Sequence, residues 1–302
     1  MINDLTIILS SAVRLTAPLA FAGAGEYVAE RGGSLIISIE AMMISGAFFG
    51  ILGSSVFGNP VAGLLLGVVA GFVVALVHAN LSYRLDANTF VVGLALNVLA
   101  LGLTSFLLET IDMTPHPAGQ IRIPLLEDLP LFGDPLFVNR WTVYLLLLVV
   151  PASWYIVQRT RWGLELRACG EDPQAADVTG IDVNKRRRQG VMWLGMMAGL
   201  GGAALSVGQV GLFNQNMTAG RGFIVNAAVI FGGWRLMGTM AGCFLFGAAD
   251  ALRLALPAIG YTLPPQVLIA APYVAALLAL MFFANRNTKP AALARPFVRG
   301  IT

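Results

Sequence analysis

The chain has 302 residues and a formal net charge of +3; 57% of its residues are hydrophobic and only 12% charged. Soluble domains carry about 25% charged residues, so the composition excludes an ordinary soluble protein and predicts an integral membrane protein. A surplus of three positive charges gives no support to nucleic-acid binding.

Taken in chain order, the first apolar segment covers residues 5–25 and is interrupted by Arg14. The chain opens Met1-Ile2-Asn3-Asp4-Leu5, with an acid and no basic n-region, so a retained membrane segment is expected rather than a cleaved signal. Continuous apolar runs follow at 34–57, 60–81, 90–108, 141–157, 189–212 and 267–284. Most of them approach the ~20 residues that a helix needs to cross a bilayer. Residues 222–256 supply one or two more segments, interrupted near Trp234 and Arg235. The runs are continuous rather than alternating, which excludes a β-barrel. The expected architecture is a single all-α transmembrane domain, 1–302, with about eight to ten membrane segments, some broken or re-entrant.

The basic residues orient these segments. Arg159, Arg161, Arg167 and Lys185 to Arg188 fall in one loop, 159–188; Arg286, Lys289, Arg295 and Arg299 fall in the tail, 285–302. By the positive-inside rule both belong in the cytoplasm. Residues 110–140, poor in bases and rich in proline, belong outside. Counting back from Arg159 places the N-terminus outside, and one re-entrant segment would reverse that. Cys169 and Cys243, the only cysteines, sit in the loop and in a membrane segment, so no disulfide framework is implied.

Neither lysine, Lys185 nor Lys289, follows a glycine, so the chain has no GxxxxGK[ST] phosphate loop. His78 and His116 are far apart and lack metal-binding spacing. With no nucleophile elbow either, a polytopic chain of this kind points to transport rather than catalysis.

One polar stretch is punctuated with care: Cys169-Gly-Glu-Asp-Pro-Gln-Ala-Ala-Asp-Val-Thr-Gly180. Asp172 is an N-cap, Pro173 takes the first helical position, and Gly180 is a natural residue just past a helix end. This predicts a two-turn helix over 173–179, with Ala175, Val178 and Thr179 on one face. Isolated helices shorter than ~12–15 residues are marginal in water, so this one must dock on a partner or lie on the bilayer surface.

The same stretch, from Thr160 to Val183, resembles the coupling loop of the permease subunits of ATP-binding-cassette importers, in their nucleoside and simple-sugar branch. That branch is related to the branched-chain amino acid permeases. Residues 217–234, MTAGRGFIVNAAVIFGGW, are similar to the branch's most specific signature; 59–107 and the tail KPAALARPFVRG (289–300) also fit its pattern. The resemblance spans nearly the whole chain. It implies a permease subunit in the bacterial inner membrane that moves nucleosides or related solutes by alternating access. It implies a second permease subunit, usually a different chain, a separate ATPase that binds ATP and Mg, and an extracytoplasmic substrate-binding protein. This chain would carry no cofactor, no metal and no enzyme activity of its own, and its other neighbour is membrane lipid. By matching position the ATPase contact falls on Glu171, Asp172, Ala175, Ala176, Gly180 and Ile181.

The family's first motif usually reads like ERAGVLNIGLEGMM, and here it is ERGGSLIISIEAMM (30–43). Glu40 is kept; Ile36 replaces an Asn, Ser38 a Gly and Ala41 a Gly. Asn226 stands where an apolar residue is usual, and Arg235 where an Asn is. An ionisable or amide side chain at bilayer depth must face protein or water. Glu40, Asn97 and Asn226 are therefore candidates to touch substrate, or else to bond neighbouring backbone; Glu40 could also pair with Arg31. Phe213, Asn214 and Met217 precede the Gly-Arg signature and could gate substrate or meet the delivery protein. Asp250 and Arg253 are spaced to pair on one helix face. His78 reads as a satisfied polar residue. Gly195, Gly199, Gly201 and Gly202 suit close helix packing, and Gly220 and Gly222 suit a broken or half-helix. Simple sugars and, less so, branched-chain amino acids are alternative substrates. The rival class is an ion-coupled secondary transporter using Glu40, Asp250 and Arg253.

Overall fold

The computed structural model of the chain describes residues 2–122, 133–259 and 289–297, with the single positions 266, 270, 274 and 281. Apart from those single positions, the expected segment 267–284 and the remainder of the tail lie outside the described residues.

Long helices dominate because a bilayer cannot satisfy backbone N–H and C=O groups, and a helix satisfies its own. Four long helices come first: α1 (Ile2–Arg31), α2 (Ile39–Phe57), α3 (Pro60–Arg84) and α4 (Thr89–Thr110). Their starts are written in the sequence. Asn59 accepts the Val61 N–H at 2.9 Å with Pro60 at the first helical position, and Asn88 accepts the Phe90 N–H at 2.9 Å. The proline-rich stretch after α4 carries a short antiparallel pair, β1 (Gln120–Arg122) with β2 (Val138–Arg140), Gln120 lying opposite Arg140. The short helix α5 (Gly133–Phe137) precedes β2. Then come α6 (Trp141–Tyr144) and α7 (Leu146–Arg159), and, in the polar loop, α8 (Arg161–Glu171) and α9 (Pro173–Val178). α10 (Val183–Leu205) runs into a π-helical turn, Ser206–Val210. The chain then forms the short α11 (Arg221–Phe231) and the long α12 (Leu236–Ala258).

Seven of the described helical stretches are long and apolar enough to span a membrane, and α11 is a shorter apolar one. The centre is α2 and α10, whose most apolar stretches are 78% buried, against 22% for α4. α10 packs on α1, α2 and α3. Its glycines make this possible: a Cβ at Gly195 would strike Gly71 and Ala75 of α3, one at Gly199 would strike Gly67, and one at Gly202 would strike Met43 of α2. Backbones in contact gain dispersion energy where no hydrophobic force separates helix from lipid. The outer faces of α3 and α4 leave Leu65, Val69, Leu94 and Val98 exposed, as a surface solvated by lipid tails should.

Three boundaries differ from the hydropathy reading. The first helix continues past residue 25 to Arg31, carrying Glu26 and Glu30, both fully buried. The run 34–57 is helical only from Ile39; Gly33, at φ +87°, turns the chain and leaves the 32–38 stretch outside either helix. Residues 183–188, expected in the loop, begin α10, because Asp182 caps it by accepting the Lys185 N–H at 2.9 Å. The expected interruption near Trp234 is present: Gly233 and Trp234 both have positive φ and separate α11 from α12.

Candidate functional site

The stretch between α1 and α2 crosses apolar surroundings without helical hydrogen bonds, and such backbone is tolerated only where protein satisfies it. Residues from four helices do so. Asn97 of α4 donates to the Ile37 carbonyl at 3.1 Å and accepts the Ala41 N–H at 2.9 Å. Asn226 of α11 donates to the Ile36 carbonyl at 3.1 Å. Glu26 of α1 accepts the Ile36 N–H at 3.5 Å. From α3, His78 Nδ1 bonds the Ser38 hydroxyl at 2.8 Å and Tyr83 donates to Ser34 at 2.6 Å; His78 Nε2 meets Thr89 of α4 at 3.1 Å.

Glu40, in the first turn of α2, faces the other interruption. Its Oε1 accepts from the Thr218 hydroxyl at 2.5 Å and the Gly220 N–H at 2.8 Å, and its Oε2 accepts the Gly222 N–H at 2.7 Å. The carboxylate thus caps the start of the half-helix α11, where orphan N–H groups and the helix dipole favour negative charge. The approach is close enough to demand glycine at 222: a Cβ there would lie 2.5 Å from the Glu40 nitrogen. Both Glu40 oxygens bond residues 218–222, and no ion pair joins it to Arg31 among the described residues. Arg221, beside the cap, pairs with Asp250 of α12 at 2.7 Å, and Asp250 also pairs with Arg253 at 2.8 Å.

The structure therefore brings Glu40, Asn97 and Asn226 to one junction, where each holds backbone. Phe213 and Met217 lie nearby on the 211–220 stretch. Phe213 is 6% exposed and meets Phe48 of α2 edge-on at 5.3 Å; Met217 packs alongside, and Asn214 is exposed. Two departures from the family pattern meet here. Ile36 and Asn226 are in contact through the Ile36 carbonyl, and the Asn226 Oδ1 is buried with no partner. Asn226 thus sets an amide against the backbone of position 36.

At one end of the bundle stands the short helix α9. Asp172 caps it by accepting the Gln174 and Ala175 N–H groups at 3.1 and 3.0 Å. Gly180 follows at φ +88°, with open space around its absent side chain. Ala175, Thr179 and Gly180 are exposed, as are Glu171 and Asp172, and Val178 is 89% exposed. Ile181 is half-buried. Ala176, also in the matched contact set, is 4% exposed and packs against Cys169 and Val183 of its own chain. The helix must bury one residue to stay docked, and Ala176 is that residue. Burial also pushes the Cys169 thiol up to about 11.

Sequence reasoning passed over Glu26, Glu30 and Arg187, and gave Trp234 only the role of a break. Glu30 accepts the Trp234 indole N–H, tying the end of α1 to the turn before α12. The signal was available in the i, i+4 spacing of two acids within a helical run. Among the described residues Arg187 is the largest fully buried side chain; in sequence it reads as one base among several.

A family described as "Branched-chain amino acid transport system / permease component" matches residues 8–285. The guanosine ABC transporter permease protein NupQ of Bacillus subtilis is 35% identical, over 99% of each chain. The nucleoside ABC transporter permease protein NupC of Lactococcus lactis is 34% identical, over 97% of this chain and 96% of the relative. A putative glucose ABC transporter permease protein, TsgC13 of Haloferax volcanii, is 38% identical over 87% of this chain and 82% of its own length.

Proposed function

The chain belongs to the family of branched-chain amino acid transport system permease components, as a multi-pass transporter subunit of the cytoplasmic membrane, and from that premise we propose that it imports nucleosides or related solutes. Its motion is alternating access driven by a separate ATPase that binds ATP and Mg. A second permease subunit completes the pathway and an extracytoplasmic binding protein delivers the substrate. The observation that carries this reading is α9: a capped, exposed helix too short to stand alone, next to the basic block 185–188, in a chain similar over its whole length to nucleoside permeases.

The face with α8, α9 and residues 289–297 is cytoplasmic in this reading, by its basic residues. The end of α1 lies against that face, the Gly33 carbonyl accepting the Ala294 N–H, so in this reading the N-terminus is outside. Glu40, Asn97 and Asn226 serve substrate by fixing the 36–41 stretch and the start of α11, as broken helices do in other transporters. Phe213 and Met217 shape the approach from the outer side. Glu171, Asp172, Ala175, Gly180 and Ile181 meet the ATPase.

Simple-sugar import is the second reading, favoured by the 38% identity to a glucose permease relative. Uptake of labelled guanosine and uridine is to be compared in cells with and without the gene, with unlabelled glucose, ribose and leucine as competitors. Loss of nucleoside uptake on deletion, blocked only by nucleosides, is the expected result. Unchanged nucleoside uptake with lost sugar uptake would shift the assignment to sugars.

A further inference from the structure

Arg187 is 1% exposed, and among the described residues its guanidinium donates to main-chain carbonyls. It donates to Gly32 after α1 at 3.2 Å, to Cys169 in α8 at 3.3 Å, and to Ala292 and Arg295 of the tail at 3.4 and 2.7 Å. A buried cation is costly unless its donors are satisfied, and here several segments satisfy it together. The tail's own backbone repeats the pattern. Ala292 N–H donates to Gly170, Ala294 N–H to Gly33, and Ala291 N–H to the Glu171 carboxylate. Phe297 closes over Cys169, Ala176 and Val183. Residues 289–297 are thereby fixed to α8, α9 and α10 as one body, which also holds the turn leading into the 36–41 junction.

Between α9 and this tail lies a groove of about 470 Å³. Glu171, Asp172 and Gln174 form one wall; Ala291, Arg295 and Pro296 form the other. Its α9 wall includes Pro173 and Gln174, and Val178, one turn on from Gln174 in the same helix, is exposed.

We propose that this groove is part of the docking surface for the ATPase subunit. A segment of that subunit enters between α9 and the tail, with a basic side chain toward Glu171 and Asp172. The inference rests on reading α9 as the coupling helix and extends it: the C-terminal tail is a second contact element, clasped by Arg187 so that both move together. Continuity with α9 and the acidic wall favour a protein over an anionic bilayer surface. Force applied in the groove reaches Gly32 and Gly33 directly through the Arg187 and Ala294 hydrogen bonds.

The test is site-specific photo-crosslinking in membranes containing the complete importer, with the photoreactive residue at 178, 291 or 295 and at lipid-facing Leu65 as control. Adducts with the ATPase subunit are expected from 178, 291 and 295 and not from 65. Adducts from 178 alone would overturn the tail's role and leave the coupling helix standing. Lipid adducts at 291 and 295, with the ATPase captured only at 178, would assign the groove to the bilayer and likewise overturn it. No adduct from any of the three would overturn the coupling-helix reading, and this inference with it.

Discussion

Glu40→Gln separates two roles for the second acid of the 30–43 motif. In the structure the carboxylate accepts three hydrogen bonds from Thr218, Gly220 and Gly222. A glutamine that keeps its oxygen toward Thr218 and Gly220 turns its NH₂ toward the Gly222 N–H, so one acceptor becomes a donor facing a donor. A hydrogen bond to a charged group contributes about 1.5–3 kcal/mol net, and a charge at a helix N-terminus a further ~0.3–1 kcal/mol. The substitution should therefore destabilise the chain by about 2–4 kcal/mol. At ~2–4 °C per kcal/mol for a chain of this size, the midpoint of thermal unfolding should fall by roughly 4–16 °C. Thr218→Val removes one donor to the carboxylate and leaves the charge, for a loss of about 1.5–3 kcal/mol. The assay is thermal unfolding of the purified importer in detergent, paired with uptake of guanosine, uridine and a sugar. A cap predicts lower stability and a proportional loss for every solute. An unchanged midpoint with an altered order of solute preference would refute the capping argument and place Glu40 against substrate.

The exchange at 36 and 226 is tested by a double-mutant cycle: Asn226→Leu alone orphans the Ile36 carbonyl and costs about 1–3 kcal/mol, Ile36→Asn alone adds a buried amide, and the pair together should cost measurably less than the sum. Additive thermal shifts would mean the two positions are uncoupled. Gly180→Val, at φ +88°, stores about 1–2 kcal/mol of left-handed strain; membrane insertion should be normal and ATP hydrolysis should persist while uptake falls, and normal uptake would count against α9 as the coupling element. With its thiol pushed up to about 11 by burial, Cys169 should resist maleimide at pH 7–8 in the folded protein and react on denaturation; rapid labelling of the native chain would show that α9 is not packed over it.

Hydropathy made the spans legible, because long apolar helices are what lipid permits. The half-helix was legible in Gly220-Arg221-Gly222, and the α9 caps in Asp172 and Gly180. What stayed hidden depends on tertiary partners. Residues 183–188 look like a solvated basic run, yet Asp182 caps them into a helix and Arg187 turns inward to carbonyls distant in sequence. The break at 32–38 falls inside an apolar run, where hydropathy is blind to Gly33 and to the Asn97 and Asn226 bonds that make unwound backbone acceptable. Ala176 could not be told from Ala175 by composition, since only the packing of α9 on Cys169 and Val183 decides which of the two faces in.

On the proposed function, this chain passes nucleosides under the drive of a partner ATPase. The most direct measurement is uptake of labelled guanosine into proteoliposomes holding this chain, its partner permease and the ATPase, with binding protein outside and ATP with Mg inside. Uptake should require internal ATP, be indifferent to dissipated ion gradients, and collapse with Gly180→Val in this chain. Uptake by this chain alone, driven by a proton or sodium gradient without ATP, would contradict it.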